Sequence, residues 1–397
     1  MKNAKELDDS SERSSGHVTY ARFADFTEVY SPNYEADLKA FLQEMENDVR
    51  SSVNTEGRAV RQAHAKSYGL LRAKVAVAGG LAPEYSQGIF ASPAEYEAVV
   101  RFSNGLAHVR PDALLGTGCG MGIKMFGVPG PSLIEDEREA GTFDYAFINA
   151  PIFFCNTIRD YRHVSFKSLP DVLADPVGRR SWLHQFLTDG GALPPEKWLW
   201  DELLAFLSNL HIPWQNLLSY TYWSMGAVRH GDYIAKVRFQ PTVDSVKQIH
   251  HHDVDPKASR EPFRETLVSE AREREHYFDL QVQLRTDPTR MPVQNTSIEW
   301  REELSPFVTV ARITIPAQDI SQPTNLEAAD RTSIMAWRVR ETHRPLGEIM
   351  RARKEVYQRS SVLRHQLNKQ ERHEPSSPEE ALGLSPKHET LSDSSCV

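Results

Sequence analysis

Leu38, Phe41, Leu42, Met45 and Val49 recur at the spacing of a helix with one apolar face, which predicts an amphipathic helix over residues 35–49. Further along, the period changes to two. Tyr233, Ala235, Val237 and Phe239 alternate with polar neighbours, as in a strand with one face buried. Similar patterning predicts seven strands, at about residues 69–78, 95–103, 122–128, 142–149, 231–240, 277–285 and 306–315. Between the fourth and fifth lies a helical block carrying Trp182, Phe186, Trp198, Leu203 and Phe206. The last ordered element is predicted as a helix over 345–365, opening on a proline that suits a first helical turn. No internal repeat is evident. Strands in succession with helices inserted disfavour a doubly wound parallel sheet. The pattern fits an α+β fold, an antiparallel sheet that closes or strongly curls with helices outside it.

Composition sets the limits of that fold. Residues 1–16 are polar, and residues 367–397 are dominated by Pro, Ser, Glu and Lys. Such segments bury too little apolar surface to offset their ordering entropy, so both are expected to be disordered around a single domain at 17–366. The 397 residues carry a net charge of −8, which disfavours a nucleic-acid partner. No apolar run reaches the length of a membrane span, and residues 1–16 lack the apolar core of a secretory signal, so the cytoplasm is the default expectation. Three widely spaced cysteines, Cys119, Cys155 and Cys396, exclude a disulfide scaffold or a Cys-rich zinc site.

Candidate chemistry gathers at four places. In the last helix Arg353 and Tyr357 are four residues apart and Arg364 follows seven later, so all three project from nearly one face. Two buried arginines beside a tyrosine require anions to neutralise them; otherwise the stripe is a solvated basic face. Arg61 and His64 stand three apart just before the first strand. Arg101 and Ser103 end the second strand, and the fourth runs into Asn149, Pro151, Phe153 and Phe154. For the two phenylalanines, ordinary core is the bland alternative. The run Gly116 to Gly122 does not fit phosphate-loop spacing and reads as a turn. His250, His251 and His252 are consecutive and do not converge on one ion, and the charges of residues 260–277 read as a solvated helix face.

Taken in order, Arg-x-x-His-Ala-Lys, Arg-Phe-Ser, Asn-x-Pro-Ile-Phe-Phe and Arg-x-x-x-Tyr with an arginine seven later resemble the catalase core. The stretches THRPLGEIMRARKEVYQ, VTVARITIPAQD and GIKMFGVPG look closer to the small catalase-related haem proteins, and the resemblance spans roughly residues 55–366. It implies an eight-stranded antiparallel barrel, whose interior suits one ligand, and a b-type haem as cofactor. Tyr357 would be the axial iron ligand, the mode of ligation known for catalases, with Arg353 bonded to its oxygen. Arg61, Arg101 and Arg364 would pair with the haem carboxylates. His64 would be the distal acid–base group, oriented by Ser103, with Asn149 as a further catalytic residue and Phe153 and Phe154 walling the pocket.

Two departures shape the expected activity. The family's distal asparagine is replaced by Ile148, leaving only Asn149, and Ala63 stands where the family has valine. Adjacent strand residues face opposite sides, so Asn149 serves the distal site only if the strand shifts register. The resulting expectation is a haem-dependent oxidoreductase acting on an organic hydroperoxide by isomerisation, dehydration or peroxygenation. The alternatives are a small catalase or peroxidase that decomposes hydrogen peroxide, a non-catalytic haem carrier or sensor, and a ligand-binding barrel without haem. Physiological substrate and assembly into a homo-oligomer are left open.

Overall fold

The computed structural model describes residues 19–164 and 169–384. The expected segment 1–16 lies outside the described residues. All seven expected strands form: β1 (Ser67–Val77), β2 (Glu95–Asn104), β3 (Cys119–Met125), β4 (Phe143–Ile148), β7 (Tyr233–Pro241), β8 (His276–Leu284) and β9 (Phe307–Ile315). Two short ones join them, β5 (Tyr222–Trp223) and β6 (Val228–His230).

The strands follow the order β5-β4-β3-β2-β1-β9-β8-β7, and pairing of β5 with β7 closes the ring. The result is an antiparallel barrel of eight strands, with the three-residue β6 paired to the first residues of β7. Closure through the short strand β5 ties the two ends of the sheet together, which reduces the usual liability of a long open sheet.

Alternation along each strand sends one set of side chains inward. Val100 and Phe102 of β2, Met121 and Ile123 of β3, Tyr145 and Phe147 of β4, and Val237 and Phe239 of β7 all join one buried cluster. Phe147 stacks on Phe239 with ring centroids 4.3 Å apart. The barrel interior is therefore filled by its own side chains. This corrects the expectation that the interior holds a ligand.

The outward set is covered by helices. The N-terminal helix, Tyr34–Glu56, buries Leu38, Phe41, Leu42, Met45 and Val49 and packs against the C-terminal helix, Glu348–Leu367. It ends at Gly57, whose φ of 72° provides the left-handed turn that stops a helix. The C-terminal helix starts later than the expected 345. Pro345 bridges to Val228 in extended pairing, and Gly347, at φ 91°, breaks the backbone before Glu348. The aromatic block forms two helices, Pro176–Thr188 and Trp200–Asn209, with Trp198 between them. No helix of the described residues is long and apolar enough to cross a membrane.

One expectation is overturned at the C-terminal side. Residues 367–384 fold back onto the barrel instead of forming a disordered tail: Glu374 is nearly buried, and Ala381 packs with Leu70, Val99 and Phe126. Residues 385–397 lie outside the described residues.

Candidate functional site

The register of three strands builds the floor of the site. On the outer face of the barrel Ser103, Gly120 and Ile148 lie side by side across β2, β3 and β4. Two residues along, Arg101, Gly122 and Ala146 form the next row. The run from Gly116 to Gly122, expected as a turn, is half turn and half strand, because β3 begins at Cys119.

His64 lies against Gly120. A Cβ at position 120 would sit 2.4 Å from the His64 Cε1 and 2.6 Å from its Nδ1, so only glycine admits the ring. The His64 Nδ1 is 3.1 Å from the Ser103 hydroxyl. Its backbone holds a left-handed φ of 57°, rare for a non-glycine residue, and the Arg101 guanidinium donates to its carbonyl at 3.0 Å. Strain of this kind, over-determined by neighbours, is a mark of a functional position.

A cavity of about 510 Å³ opens above these rows, within the range of small-ligand and cofactor sites. It is lined by every expected site residue: Arg61, His64, Arg101, Ser103, Asn149, Phe153, Phe154, Arg353, Tyr357 and Arg364. Ala63 and Ile148 border it too. One helical turn apart on the C-terminal helix, Arg353 donates to the Tyr357 hydroxyl at 2.8 Å. Phe153 and Phe154 face each other with centroids 4.5 Å apart.

Asn149 is placed differently from its expected role. Its carbonyl accepts from the Cys119 amide at 2.8 Å and its amide donates to the Thr117 carbonyl at 2.8 Å. Both ends of the carboxamide are committed to the loop before β3, and no register shift occurs between β3 and β4. Ile148, not Asn149, stands in the row beside the histidine.

The charge of the cavity is unbalanced. Asp330 is shared: Arg58 meets its carboxylate at 2.5 Å and Arg61 at 3.6 Å. Among the described residues Arg364 reaches the Asp330 carbonyl, at 3.0 Å, and Arg101 bonds the Ala329 carbonyl and the Ser67 hydroxyl. Among the described residues no carboxylate pairs with Arg101, Arg353 or Arg364, although all three are buried. Burial first, then repulsion from neighbouring guanidiniums, pulls Arg101 and Arg364 well below the ordinary arginine range. Buried cations in this state call for anions from a ligand. A flat group carrying two carboxylates, such as haem, fits that demand, and Tyr357 supplies an oxygen donor on the same cavity wall. Sequence reasoning missed Asp330 and Gly120. The first belongs to no motif, and the second was hidden in the glycine run.

His64 is partly exposed, with its open side toward the cavity. Burial, followed by Arg101, Arg353 and Arg61, pushes its pKa down to about 3, so the ring is neutral near pH 7 and able to accept a proton. Burial similarly lowers His230 to about 4 and His343 well below the usual value. A folded-state pKa below the unfolded value of about 6.5 means that the unfolded chain binds more protons at low pH. Stability from these histidines is therefore present above pH ~6.5 and lost as pH falls through their folded values, by up to ~1.4 kcal/mol per pH unit for each. The melting temperature should decline steadily from about pH 6.5 toward 4, by differential scanning calorimetry, and replacing His230 with a neutral residue should flatten that decline.

No protein-family model matches the chain, and no curated protein matches it. Among solved structures it is similar to catalase A from Saccharomyces cerevisiae, at 14% identity and a TM-score of 0.52, covering 89% of this chain and 70% of that one. A bacterial catalase gives 13% and 0.56, with 91% and 67% covered, and a fungal catalase 11% and 0.51, with 89% and 68%. The fold is catalase-like: a closed eight-stranded antiparallel barrel with helices around it.

Proposed function

We propose that this chain binds b-type haem through Tyr357 and acts on an organic hydroperoxide, and that it belongs with the small catalase-related haem proteins. The observation that carries the reading is the set of buried guanidiniums without carboxylates, lining the same cavity as the His64–Ser103 and Arg353–Tyr357 pairs. Arg61, Arg101 and Arg364 would hold the two haem carboxylates, and Arg353 would orient the Tyr357 oxygen through the hydrogen bond it donates. Bound there, haem supplies the iron at which a peroxide O–O bond is cleaved.

The protein's own part is acid–base and steric. With the Nδ1 proton of His64 donated to Ser103, Nε2 is left to take the hydroperoxide proton and return it to the departing oxygen. Ile148 brings no hydrogen bond to a small peroxide, and the committed carboxamide of Asn149 does not replace it. The remainder of the cavity favours an organic group. On one side it is lined by Leu106, Ala113, Leu114 and Leu115, and beside them by Phe206, Leu210, Ile212 and Trp214, none of them charged. Leu114 and Leu210 are 60% and 51% exposed, so this apolar arm reaches the surface between them.

The test is the absorption spectrum of the purified protein before and after addition of hydroperoxides, followed by kcat/KM for a bulky organic hydroperoxide and for hydrogen peroxide. A haem Soret band and a preference for the organic substrate are expected. Ala63→Val with Ile148→Asn should narrow the site and restore a polar contact, moving the preference toward hydrogen peroxide by roughly ten- to a hundredfold, the scale of ~1–3 kcal/mol. A wild-type preference for hydrogen peroxide would overturn the substrate assignment, and a protein that binds no haem would overturn the cofactor.

A further inference from the structure

The chain does not leave the barrel at the end of the last helix. The Asn368 side chain clamps both backbone groups of Ala59, accepting from its amide at 2.8 Å and donating to its carbonyl at 2.9 Å. Beyond it the strap of residues 369–384 crosses the outer face of β2–β4, next to the two rows that floor the cavity. The third row is Val99, Lys124 and Asp144, and this is where Glu374 arrives.

Its carboxylate meets the Lys124 ammonium on one side and the Arg338 guanidinium, at 2.9 Å, on the other. The side chains of Lys124, Asp144 and Arg338 are wholly buried. Asp144 bonds both of these cations, Glu137 bonds Arg338 at 2.7 Å, and Arg372 of the strap reaches Glu137. Three cations, Lys124, Arg338 and Arg372, thus face three carboxylates, Asp144, Glu137 and Glu374. Removing Glu374 leaves a buried excess of positive charge, which is strongly unfavourable.

The same network holds a wall of the cavity. Arg338 donates to the Ser333 carbonyl at 3.0 Å, and the Met335 amide donates to the Asp144 carboxylate at 2.9 Å. The Asp144 amide in turn donates to the Arg338 carbonyl at 2.8 Å. Ser333 and Ile334 line the cavity, and Ile334 fills the space above Gly122. Met335 and Trp337 belong to the cluster against which Tyr357 packs. At its far end the strap places Ala381 and Leu382 against Ala328 and Ala329, just before Asp330.

We infer that Glu374 is a positioning residue for the site: through Lys124, Arg338 and Asp144 it fixes segment 332–338 and thereby the setting of Tyr357. The link to haem rests on the function proposed above, whereas the link to the segment does not. The experiment compares Glu374→Ala, Glu374→Gln and Glu379→Ala in the full-length protein. Glu379 of the same strap pairs with Arg72 of β1, with both side chains partly exposed and outside the buried network, so its loss controls for surface effects.

Amide hydrogen exchange of residues 332–338 is followed in haem-free protein, and the absorption spectrum in haem-loaded protein. For Glu374→Ala, exchange at Met335 and its neighbours should rise at least ~10-fold and the haem bands should shift, while Glu379→Ala leaves both unchanged. Glu374→Gln keeps the shape and one hydrogen bond, so it should show the same changes to a smaller degree, and it decides the matter if the alanine variant does not fold. Unchanged exchange in 332–338, even with a lower melting temperature, would make the strap a simple anchor and overturn the inference. Should the wild type bind no haem, the exchange measurement still stands, and only the reading of the cofactor fails.

Discussion

Tyr357→Phe is expected to weaken haem binding by ~10–100-fold or more and to change the ferric absorption spectrum, because it removes the side-chain oxygen that Arg353 holds in the cavity. Losing even an outer partner of a metal ligand commonly has that effect, and in the function proposed above Tyr357 is the ligand itself. The Arg353 guanidinium bonds the tyrosine oxygen at 2.8 Å and lies over its ring, with no carboxylate partner among the described residues. In the variant that buried cation loses its shortest hydrogen bond and keeps longer ones to the Ala146 carbonyl, at 3.5 Å, and the Met350 sulfur, at 3.4 Å, so some loss of stability should accompany the spectral change. Arg353→Lys separates the two effects. It keeps the charge but not the planar fork, and should retain haem with an altered spectrum. Haem titration and pyridine-haemochrome stoichiometry on both variants measure the outcome. An unchanged spectrum in Tyr357→Phe would remove this tyrosine from the iron.

Much of this arrangement was legible in the sequence, and the parts that were not have identifiable causes. The seven longer strands announced themselves because each buries an inward-facing set of apolar residues with period two. Tyr222–Trp223 and Val228–His230 did not, since two or three residues carry no period, although Tyr222–Trp223 closes the ring. The site's location was misjudged for a related reason. Val99, Val100, Arg101, Phe102 and Ser103 are all buried, on both faces of β2, because helices and loops cover the outside. A doubly covered strand does not reveal in its sequence which face looks into the barrel. The strap was misread because Pro, Ser and Glu dominate it. A few residues, among them Arg372, Glu374 and Ala381, meet charge and apolar surface already formed by the barrel and seat it. The expected catalytic role of Asn149 came from a motif that records that an asparagine is present, and not where its two hydrogen-bonding ends are used.

His64→Ala and Gly120→Ala are expected to lower peroxide turnover to a similar extent, by ~100-fold or more, while both variants keep their haem. For His64 the reason is the loss of the general base proposed above, a role that ordinarily contributes 10²–10⁴-fold. For Gly120 it is geometric. The methyl group of an alanine would sit 2.4 Å from Cε1, well inside contact distance, so the ring must move. It has little freedom to do so gently. Ser103 holds Nδ1, the Gly105 carbonyl accepts from the His64 amide at 3.2 Å, and Arg101 holds the His64 carbonyl. A displacement of about 1 Å at a reacting group is enough to lower a rate ~100-fold. The double variant distinguishes this account from general damage to the barrel wall. If Gly120 acts through the histidine, His64→Ala with Gly120→Ala should be no slower than His64→Ala alone, because residues that act as one unit do not contribute additively. Losses that multiply in the double variant would mean that Gly120 matters for some other reason, such as the pairing of β3 with its neighbours.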